Sequence, residues 1–254
     1  MIKRIYYGIR TTLIISWFYG ILQIKRSPFS VLTFLLTPLS LVFFIYIFGG
    51  ERALNYGIIG ALISSIVSSS IIVETDATFL RIITKIQDIF VSSPVSPISY
   101  AAGLALSDLI PGLPGVVFFL TFLALINKLQ ILQFLAIFYA ISLTWANISA
   151  LGFFISTFAR DPRDIWVYAP ILTVVLGFIS PVYYPITFLP NWAFYASLLS
   201  PTTYPAEIIR IVLNLSNNNL LYYSLGLLLY TCVLMFLAGK RLRWKEKWFI
   251  KFYL

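Results

Sequence analysis

From Phe29 to Phe48 the chain runs twenty residues without a charged side chain, and comparable runs recur at about 56–73, 97–126, 132–158, 165–179 and 220–238, broken only by Asp108. A helix that crosses the ~30 Å hydrocarbon layer of a bilayer takes about 20 predominantly apolar residues. The pattern therefore has room for six crossings and for no separate soluble domain. Composition agrees, with 60% hydrophobic and 11% charged residues against roughly 45–50% and 25% in soluble domains. A water-soluble globule and a disordered chain are both excluded. The expected fold is an all-α integral membrane protein forming one transmembrane domain over residues 1–254.

Basic residues are spread unevenly over the connections. With six crossings, fifteen of the 18 Lys and Arg fall on one side. They are Lys3, Arg4, Arg10, Lys25 and Arg26 before span one, Arg81 and Lys85 between spans two and three, Arg160 and Arg163 between four and five, and six in the tail from Lys240 to Lys251. Arg52, Lys128 and Arg210 fall on the other side. Cytoplasmic connections carry the Lys and Arg excess, so a multi-pass protein of the cell membrane with both termini cytoplasmic is expected. The same partition accounts for the net charge of +9 with the lipid membrane, and not nucleic acid, as its partner. The single cysteine, Cys232, permits no internal disulfide, and there is no histidine, so the commonest metal ligand and general base is missing. No catalytic, cofactor-binding or metal-ligating residue stands out, and an enzyme is not expected.

Within the first 27 residues Ile2, Ile5, Ile9 and Leu13 share one helical face and Lys3, Arg4, Arg10 and Thr11 the other, the pattern of a helix lying in the membrane interface. A signal peptide would need a convincing cleavage site, which this stretch lacks. Between spans two and three, residues 76–92 exceed what a turn requires. As one helix they set Phe79, Ile82, Ile83, Ile86 and Phe90 on an apolar face, with Arg81, Thr84, Lys85, Gln87 and Asp88 available to a cytoplasmic partner. The plainer alternative is a helix that only rests on the membrane. The run Ser93-Pro94-Val95-Ser96-Pro97 follows, and residues before proline are pushed out of the helical region. Ser93, Pro94, Ser96 and Pro97 thus form the hinge into span three.

This order of elements, with the phrase from Ser93 to Pro97 opening span three and a Pro-rich aromatic segment before the last span, resembles the permease subunit of ABC-2 type transporters, nearest the multidrug-export branch. The likeness covers nearly the whole chain and is sharpest from Lys85 to Gly103. It implies that 76–92 is a coupling helix and that short re-entrant helices precede the last span. It also implies a second permease subunit, in a homodimer or heterodimer, and a separate ABC-type ATP-binding subunit that holds ATP and Mg²⁺. The chain carries no phosphate-binding loop of the form G-x-x-x-x-G-K-[ST], so the motor is expected elsewhere and no cofactor in this chain.

The segment 181–219 carries five prolines interleaved with aromatics, Tyr183 and Tyr184 among them. It reads as an aromatic belt or as the outer closure of a transport path. Glu207 and Arg210, three residues apart, read as a solvated local pair. Asp108 is the acidic residue placed inside a span, where burial without a partner is costly. Pro111, Gly112, Pro114 and Gly115 are expected to interrupt span three, and Asp108 either satisfies groups freed there or lines a path or dimer interface. The charged turn of Arg160, Asp161, Arg163 and Asp164 is a candidate second cytoplasmic contact. The resemblance implies ATP-driven export, and the absence of a charged cluster within the spans points to an amphipathic or hydrophobic substrate. The alternative is an ion- or proton-coupled secondary transporter that uses Asp108.

Overall fold

The computed structural model describes residues 2–241. Met1 and residues 242–254, with the tail cations Arg243, Lys245, Lys247 and Lys251, lie outside the described residues, as do the side chains of residues 2–5, Ser30, Pro162 and Ile165. Among the described residues there is no strand, and the α-helices are α1 (Ile2–Arg26), α2 (Ser30–Ser70), α3 (Ile72–Thr78), α4 (Ile86–Ser92), α5 (Pro97–Asn127), α6 (Ile131–Ser156), α7 (Ile165–Val174), α8 (Asn191–Ser197), α9 (Thr203–Val212) and α10 (Leu220–Arg241). Among the described residues, four stretches are long and apolar enough to cross a membrane: Val31–Ile83, Pro97–Asn127, Ile131–Ser156 and Leu220–Arg241. Trp166–Ile179 is a shorter apolar helix. The chain is an all-α membrane protein.

The first of these stretches is not one rod. Gly50 adopts φ 64°, ψ −162° inside α2, a conformation that only glycine takes at little cost. The chain reverses there into two antiparallel limbs, 30–49 and 51–70. Ser65 Oγ donates to the Phe34 carbonyl at 3.0 Å, and Gly57 lies against Ile45 and Val42. α5 runs antiparallel to the second limb, with Asn127 Nδ2 on Asn55 Oδ1 at one end and Gly112 against Ser69 further down. We call the Asn127 end upper and the opposite end, which carries α3 and α4, lower. One apolar cluster fills the upper body around Ile58, Leu62, Phe119, Ile137, Ile209 and Leu227. A second fills the lower end around Ile15, Val73, Leu80, Leu104, Phe153 and Leu234.

Two expectations change here. Pro111, Gly112, Pro114 and Gly115 do not interrupt span three, because α5 is continuous through them. The two glycines instead allow close packing, since a Cβ at Gly112 would strike Ser69 and one at Gly115 would lie 2.9 Å from the Phe34 carbonyl oxygen. The other change concerns α1, which packs lengthwise beside residues 99–110 of α5 and in the same direction. Gly8 faces Ser99, Gly103 faces Ile15, and Gly20 faces Ser107 and Ile110. The contact row is Gly8, Thr12, Ser16 and Gly20, small residues one helical turn apart that let backbones approach. Ile9 and Leu13 stay exposed beside Tyr6, Trp17 and Phe18, and are free to meet lipid.

Candidate functional site

The lower end is built around the connection between α3 and α5, and residues 76–92 are not the single helix expected. α3 ends at Thr78, a π-turn occupies Phe79–Ile83, and Lys85 takes the left-handed conformation (φ 53°) before α4 begins at Ile86. Each departure from 100° per residue rotates the following side chains, so the faces read from an ideal helix do not survive. Leu80 and Gln87 are buried and Ile82, Ile86 and Phe90 half-buried, whereas Phe79, Ile83 and Ile89 are exposed together with Thr84, Lys85 and Asp88. The outward surface is therefore mixed, apolar and charged, and Gln87 is not part of it.

Arg81 also departs from the expected polar face. Its Nη2 turns inward and donates to the carbonyls of Ser156 at 2.6 Å and Ala159 at 3.0 Å, at the lower end of α6. Below it, Asp164 Oδ2 accepts from the backbone N–H of Arg160 at 2.9 Å and of Asp161 at 3.1 Å, and Asp161 Oδ1 accepts from Arg163 N–H at 2.8 Å. The two N–H donors hold the Asp164 carboxyl below its ordinary pKa. Both acids are thus engaged in shaping the turn, while Arg160 and Arg163 remain exposed. The structure brings the 79–92 segment and the 160–164 turn together on one face.

The hinge is ordered. Ser93 is extended at the end of α4 and its Oγ donates to the Phe90 carbonyl at 2.7 Å. Ser96 caps α5, accepting from Ser99 N–H at 3.0 Å, with Pro97 in the first turn, where a missing N–H costs nothing. Pro94 is exposed between them.

Asp108 is fully buried. It lies 19 residues before Asn127, about 28 Å along a helix at ~1.5 Å per residue. Its carboxyl meets that of Asp76 on α3, and Ser107 Oγ is 3.3 Å away. The sequence gives no hint of Asp76 as the partner, since contact between α3 and α5 depends on tertiary packing.

Tyr183 and Tyr184 lie at the upper end, far from Asp108. Tyr183 stacks on Phe178 and leaves no room for a side chain at Gly60, while Tyr184 Oη donates to the Ile179 carbonyl at 2.8 Å. Both line a cleft of about 930 Å³ with Arg52, Tyr56, Phe188 and Asn217. Its wall includes Glu207 and Arg210, which are 1% exposed and not the solvated pair expected. Arg210 Nη1 meets Glu207 Oε1 at 2.7 Å, Nη2 donates to the Val182 carbonyl at 2.7 Å, and the guanidinium lies over the Tyr56 ring. Glu207 Oε2 accepts from Ser216 at 3.0 Å and Asn218 at 2.9 Å. α9 is buried along almost its whole length, and this burial removes the pair from water.

A family model described as ABC-2 type transporter matches residues 11–214. The match takes in the lower platform, Asp108 and the upper cleft up to the end of α9. No curated protein matches the chain.

Proposed function

The chain belongs to the ABC-2 type transporter family, and we propose from that premise that it is the membrane subunit of an ATP-driven exporter of amphipathic or hydrophobic molecules, drug-, lipid- or glycan-like. In this reading the limbs of α2 with α5, α6, α7 and α10 make six crossings of the cell membrane. The lower end is cytoplasmic, in keeping with the fifteen basic residues assigned to that side. ATP and Mg²⁺ bind a separate ATP-binding subunit, and a second permease subunit, identical or not, completes the path. The single observation that carries the reading is the outward surface of Ile83, Thr84, Lys85, Asp88 and Ile89, mounted on a segment that joins the second limb of α2 to α5. Residues 160–164 extend that surface.

The test is co-purification of an ATP-binding subunit encoded beside this chain, with ATPase and transport assays. Replacing Lys85 and Asp88 together by Ala is expected to leave folding nearly intact, because exposed charges contribute little to stability, and to weaken capture or uncouple hydrolysis from transport. Wild-type capture and coupling in that variant would remove the docking surface from this segment. Transport that follows an ion gradient without any ATP-binding subunit would favour the carrier reading based on Asp108.

A further inference from the structure

The segment with the outward surface has two weak points, the π-turn at Phe79–Ile83 and the left-handed Lys85. A load applied at 83–89 would bend the chain there unless something ties the segment to a long helix. Arg81, inside the π-turn, makes that tie. Its Nη2 holds the carbonyls of Ser156 and Ala159 at 2.6 and 3.0 Å. Ser156 ends α6, where the last carbonyls lack partners within the helix and carry partial negative charge, and Ala159 follows just beyond it, so the cationic donor spans the helix end and the start of the turn.

A second contact sits one turn higher. Gly152 on α6 brings the helices so close that an added Cβ would strike Val73 and lie 3.3 Å from the Glu74 backbone nitrogen. Beyond Ala159 the chain enters the turn pinned by Asp164 and continues into α7. Arg81 thus joins the docking segment to α6 and, through the turn, to α7.

We propose that Arg81 is a positioning residue that makes the lower ends of α6 and α7 move with the docking segment, so that displacement imposed at 83–89 reaches both helices. This rests on the reading of 83–89 as the docking surface. Arg81 is then an internal clasp and not a contact with the ATP-binding subunit.

The experiment places spin labels at Ser92 and Arg163, both exposed, as cysteines in a Cys232→Ser background, and measures their separation by pulsed electron resonance in nanodiscs. The permease is studied alone and with its ATP-binding subunit, with and without a non-hydrolysable ATP analogue. In the otherwise unaltered chain the distance distribution should be narrow and insensitive to nucleotide, because both labels ride on one body. Losing hydrogen bonds to a charged group shifts a local equilibrium by roughly ten- to a hundredfold. Arg81→Ala should therefore broaden the distribution and make it nucleotide-dependent, with ATP hydrolysis continuing. Arg81→Lys should restore it, since one cationic nitrogen makes both bonds.

A narrow, nucleotide-insensitive distribution in Arg81→Ala would overturn the clasp, and so would a broad one in the parent chain, a measurement that needs no variant at position 81. Failure of the unlabelled permease to capture any ATP-binding subunit would count against the proposed function, while the distances in the labelled permease alone would still decide the clasp.

Discussion

At Glu207 and Arg210 two opposite charges lie almost wholly out of water, so their value to the fold depends on both being present. Removing one partner of a buried pair leaves the other uncompensated and typically costs about 3–5 kcal/mol. Glu207→Gln is expected to lose most folded protein, and Glu207→Gln with Arg210→Met to lose less, as read from thermal unfolding followed by size-exclusion chromatography in detergent. A double variant as damaged as the single would place the cost in the bonds to Val182, Ser216 and Asn218. Asp108 poses a different problem, because its partner Asp76 is also an acid. Asp108→Asn supplies an amide donor to Asp76 and should keep near-parental yield, whereas Asp108→Leu strands the Asp76 carboxyl and should lower it. If Asn abolishes transport and Glu restores it, the charge and not the contact is what matters. The sequence marks Asp108 as an acid in an apolar run, but a spacing of 32 residues says nothing of Asp76.

Among the elements, α1 and α5 show how close contact rests on residues with almost no side chain. A Cβ at Gly103 would sit 2.7 Å from Ile15 Cβ and Cγ2 and 3.2 Å from the Thr12 carbonyl oxygen. Gly103→Leu should therefore destabilise by about 1–3 kcal/mol, against no more than about 0.5 kcal/mol for exposed Ile9→Ala. Equal effects in the same unfolding assay would mean that α1 is not held through this row. Hydropathy locates α1, α5, α6 and α10 in the sequence because each buries or exposes apolar surface along its whole length. It misses the small-residue row of α1, since Gly, Thr and Ser carry little hydropathic signal whether they face lipid or backbone. It also misses the break of 76–92 into three pieces. No proline or glycine lies between Asp76 and Ser92, and a left-handed lysine, which costs about 1–2 kcal/mol, is sustained by packing at both ends. Prolines 111 and 114 misled in the opposite sense, because neighbouring helices support α5 where a lone helix would break.

For the molecule as a whole, the uneven distribution of cations predicts which end meets the cytoplasm. With Cys232 replaced, single cysteines at Lys85 and Arg163 should resist an impermeant thiol reagent added outside intact cells, while one at Asn217 should react. The opposite pattern would invert the protein, and labelling at all three would break the six-crossing arrangement. The reversal at Gly50 bears on how such a chain is made. The two limbs of α2 leave the ribosome in succession as one nearly unbroken apolar length, and the tip between them carries only Glu51 and Arg52, charges of opposite sign. So small a polar load suits entry of the pair into the bilayer together as a helical hairpin, whose limbs the bond from Ser65 to Phe34 holds in the folded chain. Nothing crowds Gly50, yet its positive φ strains any residue with a side chain. A substitution there would act during biogenesis, when the reversal has no neighbouring helices to enforce it.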